Sequence, residues 1–320
     1  MECNKDCNFE LININECYQT LKTAINNKRP FSFLRLGDGE GALLDFNSYS
    51  SIELVKYLGT HFGDQLSLSS IEEIAKNLKK SIVDADILGV RDDIVNVKFT
   101  HNNIESSDEF LRRFKASFHL RNVDKNLPLV DAKRIAMLHK NLTDIPLKPT
   151  SKLFSQWAHY DLHAQGALAS LLKGEKKLGL INANSKVAKA MENGFGVPIQ
   201  HIAVSDKFEL QNSSQYAFYP NSYNKATAQL DDKLDGMVFI VAAGLVGKSY
   251  CYEIKQRGGI ALDFGALVDC WAGKFSRPRV LQSKFAIKTS LFSKKKQVPD
   301  ELKLTKKNIE QLSKKWESSL

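Results

Sequence analysis

"GMVFIVAAGLVGKSYCYEIKQRGGIALDFG", residues 236–265, carries the pattern on which the fold rests. An unbroken apolar run through Val238–Ala243 reads as a strand buried on both faces, because a strand with one face in water would alternate apolar and polar residues. A glycine-containing loop at 244–247 follows, then a helix through about Gln256. Gly258 and Gly259 mark its stop, and "IALDFG" (260–265) supplies a second buried strand. Strand, helix and strand without alternation predict a parallel sheet covered by helices on both sides.

The same order recurs towards the N-terminus. Apolar residues Ile14, Cys17, Tyr18, Leu21, Ala24 and Ile25 return at helical spacing, Pro30 follows, and "FSFLRL" (31–36) reads as a buried strand. Ser70 with Glu73 reads as a capping box for a helix to about Val83, followed by the strand "DILGV" (86–90). Residues 156–173 read as one helix, "KKLGLINA" as a strand, Asn184 or Ser185 as the next cap, and "IQHIAVSD" (199–206) as a further strand. Between 91 and 150 the pattern is less regular, with helical spacing at 108–118 and 131–140 and a proline-containing connection at 146–149. The expectation is an α/β fold with a mostly parallel sheet and helices on both faces. One domain would span 1–290, with a lysine-rich helical tail at 291–320.

The 320 residues, 43% hydrophobic and 25% charged, suffice for a large core. No window reaches the ~18 unbroken apolar residues of a membrane span, and "MECNKDCNFE" has no basic region leading into an apolar core, so a cytoplasmic location is expected. The five cysteines (3, 7, 17, 251 and 270) show no paired spacing for zinc and are expected to be reduced thiols. Of the net charge of +9, the stretch 284–320 carries most, with ten lysines against Asp300, Glu301, Glu310 and Glu317. Such a tail can lie on anionic lipid or on nucleic acid, or be a solvated helix face. The body is close to neutral, and no nucleic-acid partner is expected.

Sheets of this kind bind ligands at the carboxyl ends of their strands, where "GDGEG" (37–41) and "AAGLVGKS" (242–249) both fall. In an extended loop, Asp38 and Glu40 would point to one side and converge on a cation. Gly37, Gly39 and Gly41 would allow a tight turn and leave room for a ligand. Two carboxylates leave coordination positions open for water and phosphate oxygens, the usual state of Mg²⁺ or Mn²⁺ on a nucleotide. A pair of acids capping a turn or a helix start explains the same residues. "AAGLVGKS" ends like a phosphate-binding loop in Lys248 and Ser249 but has Ala242 where that loop begins with glycine. A helix N-terminus with a lysine nonetheless suits a diphosphate. His159 and His163, four apart, point to one functional histidine rather than a zinc pair, and Trp271 is expected in the core.

"RLGDGE" (35–40), together with "VAAGLVGKSYCYEIKQRGGIALDFGALVDCWAGKFSRPR" (241–279), resembles the GT-D-type glycosyltransferases, a bacterial family with an acid-x-acid motif. The resemblance implies a Rossmann-like sheet and metal-dependent transfer of a sugar from a nucleotide-diphosphate donor, expected to be UDP-linked. The acceptor would be a glycan or lipid-linked glycan of surface polysaccharide or glycoprotein synthesis. It further implies Asp38 and Glu40 as ligands of Mn²⁺ or Mg²⁺, and Arg35, Gly37, Gly39, Gly244, Gly247 and Lys248 around the donor. Asp263 matches the acid ending the last strand, with Asp269 a second candidate for the base and Lys248 for stabilising the leaving group. In the best-described members of that family a histidine follows the "D-x-G" of this strand; here the position is Ala266.

Overall fold

The computed structural model describes residues 11–48, 67–90, 140–164, 166–205 and 218–272, with isolated positions 58, 62 and 138. The first half runs α1 (Ile14–Asn26), β1 (Phe31–Arg35), α2 (Asp38–Leu44), α3 (Leu68–Asp84), β2 (Ile87–Val90) and β3 (Lys152–Ser155). It continues through α4 (Ala158–Ala164), α5 (Ala167–Leu172), β4 (Leu178–Asn182), α6 (Ser185–Phe195) and β5 (Ile199–Ala203). The last part holds α7 (Tyr223–Thr227), β6 (Val238–Ala242), α8 (Gly247–Gln256), β7 (Ile260–Asp263) and α9 (Leu267–Trp271).

The strands form one seven-stranded sheet in the order β3-β2-β1-β7-β6-β4-β5. Every described pairing is parallel. The fold is thus the α/β, Rossmann-like class expected from the buried strands. The last strand, β7, sits at the centre, between β1 and β6.

Strand residues alternate between two apolar cores. Leu34, Leu88, Ile181, Phe239, Val241 and Ala261 face the helices α2, α3, α7 and α8. Phe31, Phe33, Ile87, Leu178, Leu180, Ile240 and Leu262 face α1, α4, α5, α6 and α9. Both faces of each central strand are dry, which is why the sequence shows runs and no alternation. Fully burying a side chain such as Phe239 stabilises the fold by about 2–3 kcal/mol.

Local chemistry explains most of the element ends. α1 begins with a reciprocal capping box between Asn13 and Glu16. α8 ends where Gly258 turns left-handed (φ +83°), and the Gly259 amide reaches back to the Ile254 carbonyl at 2.8 Å.

Three expectations need correction. α3 is capped by Ser67, whose Oγ accepts from the Ser70 amide at 3.1 Å, so the helix starts earlier than a Ser70 box implies. The single helix expected over 156–173 is two, α4 and α5, split at Gly166, whose left-handed φ of +72° cannot continue a right-handed helix. β3 was not anticipated; at four residues, with Lys152 exposed on the sheet edge, it is too short to show a period. The stretch 108–118, expected to be helical, most of 131–140, "RPR" at 277–279 and the tail 291–320 lie outside the described residues.

Candidate functional site

Arg35 ends β1, and the chain turns straight into α2, with Gly37 as the N-cap. Asp38 and Glu40 therefore stand in the first turn of a helix and not in an extended loop. Residues two apart on a helix diverge by about 200°, so the same-side argument for the pair fails. Glu40 folds back on the cap, its Oε2 accepting from the Gly37 amide at 2.7 Å. It is buried, whereas Asp38 is half-buried.

Glycine is not demanded at 37, where φ is −133° and an added Cβ would make ordinary 3.5 Å contacts to Gln156 Oε1 and Glu40 Oε2. At 244 it is, since φ is +60°, and the space beside that position is open.

The other glutamate oxygen meets a residue from far along the chain. Lys248, in the first turn of α8, places Nζ 2.6 Å from Glu40 Oε1 and 3.1 Å from Asp263 Oδ2. Asp263, the last residue of β7, is held in turn by Arg35. The Arg35 Nη2 lies 3.3 Å from Oδ1, Nε donates to the Asp263 carbonyl at 2.8 Å, and the Arg35 amide donates to Oδ2 at 3.3 Å. Arg35 Nη1 is 3.2 Å from His159 Nε2. A guanidinium can only donate, so Nε2 accepts and the imidazole is neutral with its proton on Nδ1.

Two cations and two carboxylates thus cancel inside the protein, where Glu40, Lys248 and Asp263 are each at most 5% exposed. Burial by itself would lower the Lys248 pKa, but Asp263 and Glu40 outweigh it and raise it. Burial would likewise raise that of Asp263, yet Arg35 and Lys248 hold it below the usual carboxylate range. Lys248 and Asp263 stay charged because they are paired. His159 is pushed well below the ordinary histidine value by burial and then by Arg35.

At the carboxyl edge the chain passes after β4 to α6 on one face of the sheet, and after β6 to α8 on the other, so the two loops part between adjacent strands. Ligands of open α/β sheets enter at such a switch point. Buried Asn182 ends β4 there, donating to the Ala242 carbonyl at 3.2 Å and accepting from the Asn184 amide at 2.6 Å. Exposed Gly244 follows β6. A groove between α3 and α8 is lined by Phe46, Lys76, Lys79, Lys80, Tyr252 and Gln256 and shares no residue with the charge cluster.

The structure therefore brings together Arg35, Gly37, Glu40, Lys248 and Asp263; Gly247 opens α8 next to Lys248, and Gly244 lies in the turn before it. Asp269 lies on α9, half-buried. Among the described residues no three or more His, Cys, Asp or Glu side chains gather as a metal site. Glu40 is engaged at both oxygens, with the Lys248 ammonium at one and the Gly37 amide at the other. The phosphate-loop reading of "GKS" meets the same obstacle, with Lys248 turned onto carboxylates and Ser249 buried.

Sequence reasoning missed one residue and one pairing. The residue is Gly265, whose φ is +46° and whose Cβ would fall 2.0 Å from Arg35 Nη2. The pairing is that of His159 with Arg35, to which nothing in "HYDLH" points. Trp271 packs in the core as expected.

Residues 12–121 match the family model described as a GT-D fold-like domain. This stretch resembles a GT-D-like domain. It takes in β1, α2, α3 and β2, and with them Arg35, Asp38 and Glu40. Lys248 and Asp263 come from beyond the matched stretch, on elements that complete the sheet. No curated protein and no solved structure matches the chain. Among the described residues no helix is long and apolar enough to cross a membrane.

Proposed function

We propose that the protein is a glycosyltransferase that moves a sugar from a nucleotide-diphosphate donor, UDP-linked, to a glycan or lipid-linked glycan acceptor. One observation carries the reading. The acid-x-acid turn after β1 meets Lys248 of α8 and Asp263 of β7 at the carboxyl edge of neighbouring parallel strands, within a sheet whose first part is GT-D-like.

The switch point between β4 and β6 suits the nucleoside, and the amides at the start of α8 suit the diphosphate. Charge that develops on the leaving group is stabilised most by groups already fixed in place, and the Arg35–Asp263–Lys248 network supplies such rigidity. A divalent ion, Mn²⁺ or Mg²⁺, belongs to the proposal as the companion of the diphosphate. Asp38 would hold it, with Glu40 only after Glu40 parts from Lys248, and it would neutralise phosphate charge. Asp263 is held by two cations and stays ionised, which suits bracing better than proton abstraction, leaving Asp269 as the candidate base. Synthesis of surface polysaccharide or glycoprotein at the inner face of a membrane, with the lysine-rich tail as a peripheral contact, completes the proposal.

The test is release of nucleoside diphosphate from a panel of nucleotide sugars, with and without Mn²⁺. Slow release from one donor, metal-dependent and abolished by Asp38→Asn in a folded protein, is the expected result. A folded protein that binds donors and never turns over is instead a binding module.

A further inference from the structure

We propose that the groove between α3 and α8 is a binding site for an amphipathic anion, a diphosphate esterified to an apolar chain. Its use as the seat of a lipid-linked acceptor rests on the transferase reading; the binding itself does not.

The lining suits that class. α3 turns Ile71, Ile74, Leu78 and Ile82 into the core, which leaves Lys76, Lys79 and Lys80 outside. Three and four positions apart, they bring three ammonium groups to one face of the helix. All three are exposed, and among the described residues none forms an ion pair. The acids of the groove do not balance them. Asp84, at one end, is already held by Lys148 and Lys255, and the Gln256 amide donates to it at 3.1 Å, so Glu72 at the other end is left against three lysines. Phe46, Val83 and Tyr252 give the same groove an apolar surface, and its volume is about 790 Å³, within the ~300–1,000 Å³ of small-molecule sites. Excess positive charge alone suits any anion, and an apolar wall alone suits any lipid; both together suit a molecule that has both parts. A diphosphate ester carries more charge than the phosphodiester of an ordinary phospholipid and so matches three ammonium groups better.

The groove also lies where an acceptor is needed. α3 and α8 both descend from the carboxyl edge to the start of the next strand, so the Glu72 end faces that edge. Tyr252 follows Lys248 by about one helical turn, roughly 6 Å along α8. A glycan borne on a diphosphate in the groove therefore has a short path to the charge cluster.

The measurement is equilibrium dialysis of farnesyl diphosphate against the whole chain, in EDTA and without a sugar donor. Saturable binding is expected, at least ~10-fold tighter than that of inorganic diphosphate or of farnesol, since each lacks one half of the contact. Lys76→Gln, Lys79→Gln and Lys80→Gln combined is expected to weaken it by ~10-fold, and because these side chains are exposed the variant should keep the wild-type circular dichroism. Tyr252→Ser is expected to weaken it by ~5-fold while leaving inorganic diphosphate unaffected. UDP, which belongs at the carboxyl edge, is not expected to displace it. No saturable binding, binding unchanged in the folded lysine variant, inorganic diphosphate as tight as its farnesyl ester, or displacement by UDP overturns the proposal. So does an oligoglutamate peptide that binds through the same lysines in preference to farnesyl diphosphate, which would make the groove a seat for an acidic protein segment. A chain that binds farnesyl diphosphate here yet turns over no sugar donor keeps this site and loses the transferase reading.

Discussion

Gly265 shows how narrowly a single position can be set. Its backbone is left-handed, and the place of a Cβ is taken by the Arg35 guanidinium on its way to Asp263. The obstacle is the far end of a flexible side chain, so Gly265→Ala is expected to displace Arg35 rather than unfold the protein. Stability should fall by about 1–3 kcal/mol through the strained φ. Donor hydrolysis should fall much further, because Asp263 loses a cation. Chemical denaturation and turnover measured side by side check this, and a variant with wild-type turnover would show that the Arg35–Asp263 pair has no part in the site.

Among the elements, α4 couples the site to the acid stability of the fold. It carries His159 against Arg35 and His163 in the core against Trp271, with ring centroids 6.1 Å apart. Burial drops the His163 pKa to about 4. The unfolded chain takes up this proton near pH 6.5, so between 6.5 and 4 the unfolded state binds more protons and stability is lost as pH falls. By pH 4.5 this group alone should cost about 2–3 kcal/mol. His163→Phe is expected to lose less stability than wild type between pH 7 and 4.5 in urea titrations; equal losses would mean that α4 admits water.

The element scale also shows which sequence patterns could be read. β1, β2, β4, β6 and β7 were legible because a strand buried on both faces leaves an apolar run. The division of α4 from α5 was not, since a glycine inside a helical pattern indicates its left-handed turn only once φ is known. Nor was the helical start at Asp38. Gly-Asp-Gly-Glu-Gly suits a loop by propensity, and only packing of Ala42, Leu43 and Leu44 into the core winds it into α2.

For the whole molecule, the central position of β7 makes the fold depend on its last described strand. A chain ending at Asp235 would lack β6, α8 and β7, leaving β1 without its inner neighbour and separating β3-β2-β1 from β4-β5. Such a fragment is expected to show weak near-ultraviolet circular dichroism and no cooperative unfolding, although it contains the entire GT-D-like match. A sharp transition in the fragment would show that the first part folds alone.

The amino-acid sequence by itself determined the α/β class, the positions of most buried strands and the two glycine-bearing turns, because these follow from local apolar runs and turn chemistry. Tertiary structure alone decided which charges meet. Arg35 and Asp263 are 228 positions apart, and only the insertion of β7 beside β1 makes them partners. The same insertion gives Glu40 a lysine for its neighbour, since the choice of partner for a buried charge depends on strand order, which no local pattern encodes.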